Sequence, residues 1–125
     1  MNIKSAFSGF SVSDNSKART FYKDTLNLTV EEQDYGTTIH LPGGATVFFY
    51  PKGEAHVPAN YTILNFEVDD IDAAVNELKK RGVTFQSQEH TDEKGIQRGI
   101  ANNMGPDIAW FTDPAGNILS IMQNQ

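Results

Sequence analysis

The stretch Phe10-Ser11-Val12-Ser13-Asp14, followed by Ala18, Phe21, Tyr22 and Lys23, returns 56 residues later. The second copy runs Phe66-Glu67-Val68-Asp69-Asp70, then Ala74, Val75, Leu78 and Lys79. Each copy opens with the alternation of a strand and changes to helical spacing at an acidic residue. In the second copy Ile71, Ala74, Val75 and Leu78 fall on one helical stripe. Asp69 or Asp70 can accept from the open N–H groups of the first turn and suits the positive end of the helix dipole. Gly82 then supplies the left-handed residue that ends the helix. In the first copy Ala18, Phe21, Tyr22 and Leu26 form the stripe, and Asn27 takes the place of the glycine.

The matching continues beyond each helix. Leu28 to Asp34, Thr37 to Leu41 and Ala45 to Tyr50 read as three strands, turned at Tyr35-Gly36 and Pro42-Gly43-Gly44. Val83 to Glu89, Ile108 to Thr112 and Asn117 to Met122 read as their counterparts, the last turn being Asp113-Pro114-Ala115-Gly116. Thr91 to Arg98 and Met104-Gly105-Pro106 form the longest irregular stretch, a candidate lid. The expectation is an α+β chain of two tandem βαβββ modules. Module one covers residues 1–52, a linker covers 53–59, and module two covers 60–125. A half of this length cannot bury its own sheet face, so both modules belong to one domain.

Composition narrows the function. The 125 residues contain no Cys, which removes disulfides, thiolate nucleophiles and thiolate metal sites and suits a reducing compartment. The net charge of −6 is spread along the chain and opposes phosphate, so no nucleic-acid partner is expected. No apolar run reaches membrane-spanning length, and Met1 to Phe10 does not read as a leader, so a cytoplasmic location is expected. Gly43-Gly44 opens no helix and is a hairpin turn, not a phosphate cradle. No motif singles out a nucleophilic Ser beside a His.

With Val12-x-Asp14, Phe21-Tyr22-Lys23-Asp24-x-Leu26 and Asp113-Pro114-Ala115-Gly116-Asn117-x-Leu119 in this order, the chain resembles the vicinal oxygen chelate superfamily from about Ile3 to Gln123. That superfamily holds glyoxalase I, extradiol dioxygenases, fosfomycin-resistance transferases and bleomycin-resistance proteins. The resemblance implies that two half-cups enclose a small-molecule site with the helices outside. It also implies a homodimer, by side-by-side or exchanged modules.

Members that work with a metal place two ligands on each module, because a divalent cation needs several His, Glu or Gln side chains converging at about 2.0–2.3 Å. By that resemblance the opening ligand lies seven residues before each helix-starting acid, which gives Phe7 and Ile63. The last strands give Ser120 and Phe48, or Phe49 if the register slips by one. Only Ser is even a weak ligand. No metal or other cofactor is therefore expected, and activities that polarise a vicinal oxygen pair are put in doubt. A relocated site would have to use His40, His56 or His90, which share no short ligand spacing.

Alternation places Phe7, Gly9, Ser11, Ile63, Asn65 and Glu67 on the inner face, with Phe48, Tyr50, Ser120 and Met122 from the last strands and Trp110 on the wall. Such a face suits a flat or apolar ligand held by stacking. The same side chains could instead plug the cup as ordinary core. Glu67 is either a partly buried proton acceptor or a solvated carboxylate. Arg98 either meets an anionic ligand or Glu67, or pairs with Asp92 or Glu93 on the surface. Asp113 is expected to shape its turn. Three functions stay open: a metal-independent binding protein for an aromatic or drug-like molecule, an enzyme using Glu67 or a metal at His40, and an accessory protein with a filled cup.

Overall fold

The strands fall into two sheets of four, ordered β1-β4-β3-β2 and β5-β8-β7-β6 in a computed structural model that describes residues 1–125. The first lies in a compact unit of Met1–Pro58, the second in a unit of Ala59–Gln125. Each follows the βαβββ order, and in each the first strand runs parallel to the last while the others pair antiparallel.

In the first unit β1 is Ser8–Val12, α1 is Asn15–Thr20, and β2, β3 and β4 are Thr29–Gln33, Gly36–His40 and Thr46–Pro51. Asp14 caps α1, its carboxylate accepting from the N–H of Lys17 at 3.0 Å. The helix does not continue as a plain α-helix through Leu26. Phe21–Thr25 form a π turn, with Leu26 N–H donating to the Phe21 carbonyl at 3.0 Å. Asn27 then takes the left-handed conformation, φ 56°. Ala18 and Tyr22 are buried, while Phe21 and Leu26 are half-buried. The even residues of β1 face the helix: Phe10 meets Tyr22 at 5.8 Å and Phe49 at 5.7 Å between ring centroids, and Tyr22 meets Phe49 at 5.5 Å. Such ring pairs contribute about 0.5–1.5 kcal/mol each beyond the burial of their area.

In the second unit β5 is Thr62–Glu67, α2 is Ile71–Lys80, and β6, β7 and β8 are Ile96–Arg98, Asp107–Thr112 and Ile118–Gln123. Asp70, not Asp69, caps α2 by accepting from Ala73 N–H at 3.1 Å. Ile71, Val75 and Leu78 are buried on its inner stripe, and Gly82 ends it at φ 93°. Asp113 is buried and accepts from the N–H groups of Ala115 and Asn117 and from the Asn117 amide, at 2.8, 3.0 and 3.1 Å. It shapes the turn, as its position predicts.

One predicted strand is absent. Val83 to Glu89 joins no ladder; it touches β7 through the Gln86 N–H on the Trp110 carbonyl, 2.8 Å, and through Phe85 on Phe111. The partner of β7 is instead Ile96–Arg98, from the stretch read as irregular. The reason lies in what each segment can bury. After Phe85 the first offers only polar residues, whereas Ile96 is fully buried. Asp92 also closes the loop before β6, its Oδ1 accepting from the N–H groups of Lys94 and Ile96, both at 2.9 Å.

Candidate functional site

Each sheet keeps one face for its helix and turns the other away from it. In the first unit that second face is aromatic. β1 and β4 pair Gly9 with Phe48 and Ser11 with Tyr50. Phe48 and Tyr50 lie nearly parallel, 6.3 Å between centroids and 20° between planes. Tyr35, from the hairpin turn, meets Phe48 at 5.6 Å with its ring tilted by 49°. Phe7 precedes β1 and is 67% exposed. A hollow of about 210 Å³ lies against Phe7, Tyr35 and Phe48, with Gln33 and Thr38 as its polar lining. The Thr38 hydroxyl donates to Gln33 Oε1 at 3.0 Å, which fixes that amide. Tyr35 escaped the sequence reading because alternation says nothing about a turn; an aromatic next to the turn glycine Gly36 was the available signal.

The second unit's face is mixed. Asn65, Ser120 and Trp110 are successive partners across β5, β8 and β7, and Glu67, Met122 and Ile108 form the next row. Ser120 is fully buried and its Oγ donates to Asn65 Oδ1 at 2.5 Å. Ile63 departs from the alternation that carries Asn65 and Glu67. The ladder slips between Thr62 and Leu64, so Thr62 pairs with Ile118 and Ile63 has no partner of its own. Glu67 is exposed and accepts from Asn124 Nδ2 at 2.6 Å, so it is the solvated carboxylate of the two readings.

Arg98 is drawn away from this row. Its guanidinium donates to both oxygens of Asp72 on α2, at 2.8 and 2.9 Å, and through Nε to Asp92 at 3.0 Å. It pairs with Asp92, as one reading held, and not with Glu67; the larger partner, Asp72, was hidden in the helix sequence. Lys94 also donates to Asp72, at 3.0 Å. The bonds from Arg98 and then Lys94 hold the Asp72 carboxyl well below the usual carboxylate range. For Asp92 partial burial pushes upward, but the N–H of Ile96, the Arg98 guanidinium and the N–H of Lys94 outweigh it and lower the value. Arg98 is raised in turn, chiefly by Asp72. The segment singled out as a lid is thus clamped to the helix.

The four positions where the resemblance puts metal ligands carry Phe7, Phe48, Ile63 and Ser120. Three offer no donor atom, and the Ser120 hydroxyl is engaged by Asn65. No three His, Asp or Glu side chains gather elsewhere to hold an ion. The His40 ring pairs with Glu31 at 3.0 Å on the exposed side of β3. The residues present do not fit a divalent cation at the family position. One juxtaposition was not foreseen: the Ser11 hydroxyl and His56 Nδ1 lie 2.8 Å apart, because the linker returns beside β1.

The family model described as Glyoxalase/Bleomycin resistance protein/Dioxygenase superfamily matches residues 6–121. The chain belongs to this superfamily. No curated protein sequence matches it. Among solved structures of the fold, TnmS3, an antibiotic binding protein from Streptomyces sp. CB03234, is 24% identical, with 100% of this chain and 99% of that one covered at a TM-score of 0.68. An integron cassette protein from the mobile metagenome of the Halifax Harbour sewage outfall is 19% identical over 97% and 99%, TM-score 0.71. The fosfomycin resistance protein FosX from Listeria monocytogenes is 13% identical over 100% and 96%, TM-score 0.70. At these identities the structures show that the superfamily member shares their fold. No helix of it is long and apolar enough to cross a membrane.

Proposed function

We propose that this superfamily member binds a flat, aromatic or drug-like molecule without a metal ion. One observation carries the reading: Phe48, at a position where metal-dependent relatives are expected to hold a ligand, instead stacks on Tyr50, meets Tyr35 and lines an open hollow with it. Aromatic faces at these spacings accept a further ring by offset stacking, about 0.5–1.5 kcal/mol for each pair formed. The printed roles of TnmS3 and FosX, antibiotic binding and fosfomycin resistance, agree with a drug-like ligand, although the proposal rests on the residues. Glu67 lacks the burial that a base of that kind needs, and His40 is engaged by Glu31, so neither supports an enzymatic reading. The proposal includes a homodimer in the cytoplasm, checked by sedimentation and by cell fractionation.

The test is a titration of the protein, with and without chelator, against a panel of planar aromatic antibiotics, read by thermal shift and calorimetry. At least one compound is expected to bind with micromolar Kd, equally with and without chelator. A panel without binders, or binding that chelator abolishes, overturns the reading.

A further inference from the structure

On the second sheet one exposed polar side chain is held in a defined orientation. Asn65 and Ser120 are partners in the parallel ladder of β5 and β8, and the buried hydroxyl of Ser120 donates to Asn65 Oδ1. That bond occupies one lone pair of Oδ1 and fixes which way the amide faces. Its outer end is Nδ2, which carries two N–H donors and no acceptor. Beside Ser120 in the same row stands Trp110, half-buried on β7. Two strand spacings of about 4.8 Å separate the Asn65 and Trp110 backbones, with the buried Ser120 between them. A buried hydroxyl that fixes the amide also lowers the entropy lost when a ligand accepts from it.

The chemistry of the acceptor is set by the neighbours. Glu67 lies two residues along β5 on the same face, about 7 Å away, and disfavours a ligand anion. A ligand ammonium would set N–H against the Nδ2 donors. A neutral carbonyl oxygen in the plane of an aromatic system satisfies both sides: its ring lies on the indole and its lone pairs meet Nδ2. We propose that Asn65, positioned by Ser120, selects planar ligands that carry a conjugated carbonyl. This rests on the binding function proposed above and names a ligand class for the second unit's sheet face.

Trp110 is the only tryptophan of the chain, so its fluorescence reports occupancy of this row. The probes are 9-fluorenone and fluorene, two planar molecules of one shape that differ in a carbonyl. Fluorenone is expected to quench Trp110 with about tenfold lower Kd, the effect of one well-formed hydrogen bond. Asn65→Asp keeps the acceptor for Ser120 but replaces the donors with a carboxylate, and is expected to abolish the preference. Ser120→Ala frees the amide and is expected to weaken it in part. Asn65 is exposed, and the wild-type comparison needs no variant, so a folding defect cannot hide the result. Equal binding of the two probes, or a preference that survives Asn65→Asp, overturns the role of Asn65 and leaves the binding function standing. If neither probe quenches Trp110, this inference fails; if the antibiotic panel is also blank, the binding function fails with it.

Discussion

The ring of Phe48 fills the space that a Cβ on Gly36 would need. An added methyl there would run into the Phe48 ring and into the carbonyl oxygen of Phe49. Gly36 begins β3 immediately after Tyr35, so the glycine lets one strand approach the next closely enough for the Tyr35–Phe48 contact to form. The aromatic face thus depends on an absent side chain.

Gly36→Ala is therefore expected to cost about 2 kcal/mol, since the ring can turn away but the β4 backbone cannot. Thermal unfolding should show a fall in Tm of roughly 6–10 °C. The same variant should lose affinity for any compound that quenches or shifts the wild type through the first unit.

Acid should loosen the clamp around Arg98. Asp72 and Asp92 titrate below their ordinary range in the folded chain and near about 3.9 when unfolded. At intermediate pH the unfolded state binds more protons, so the stabilisation is complete above about pH 4 and is lost as pH falls through the folded values. Asp72 is 41% exposed at its side chain, and screening keeps the contribution small. Asp72→Asn is expected to lower stability by about 0.5–1 kcal/mol at pH 7, with the gap to wild type narrowing towards pH 2. Urea melts at pH 7, 4 and 2 measure it; a gap that does not change with pH would count against the clamp.

Asp113 is expected to be the most sensitive position of the last turn. Asp113→Ala removes the acceptor of two N–H groups and of the Asn117 amide in a buried place, about 3 kcal/mol. Asp113→Asn keeps one acceptor and should cost less. Chemical denaturation of the two variants ranks them.

Metal removal should leave the protein unchanged. Dialysis against EDTA is expected to shift neither Tm nor the Kd of a bound aromatic compound, because Phe7, Phe48, Ile63 and Ser120 give a cation nothing to hold. A Tm that falls on chelation and recovers with added zinc or manganese would contradict the reading of those positions.

Much of the fold was legible because its signals are local. Asp14 and Asp70 cap the two helices, Asn27 and Gly82 end them, and Pro42-x-Gly44 and Pro114-x-Gly116 turn the chain. Each is a choice of residue type that a single backbone conformation dictates. The features that escaped are decided between distant segments. Ile96–Arg98 rather than Val83–Glu89 joins the β7 ladder because Ile96 has a core to fill, and Arg98 then meets Asp72 on the helix, a contact 26 residues apart with no periodic trace. The slip at Ile63 is a relation between two strands and is invisible in either. On the candidate site, alternation put Asn65, Ser120 and Ser11 on the inner face and Trp110 on the wall, while the row that Asn65, Ser120 and Trp110 form across the ladder, Tyr35 in its turn and His56 in the linker lay beyond it.

The π turn at Phe21–Thr25 also reconciles a difference in length between the two copies. Asp14 stands thirteen residues before Asn27, whereas Asp70 stands twelve before Gly82. The two helices begin and end with equivalent residues, so the first copy holds one more residue between the same landmarks. A π turn is how a helix accommodates a single inserted residue without displacing the chain beyond it. The extra residue is taken up within the hydrogen bonding of one turn, so that Asn27 can end the first helix as Gly82 ends the second.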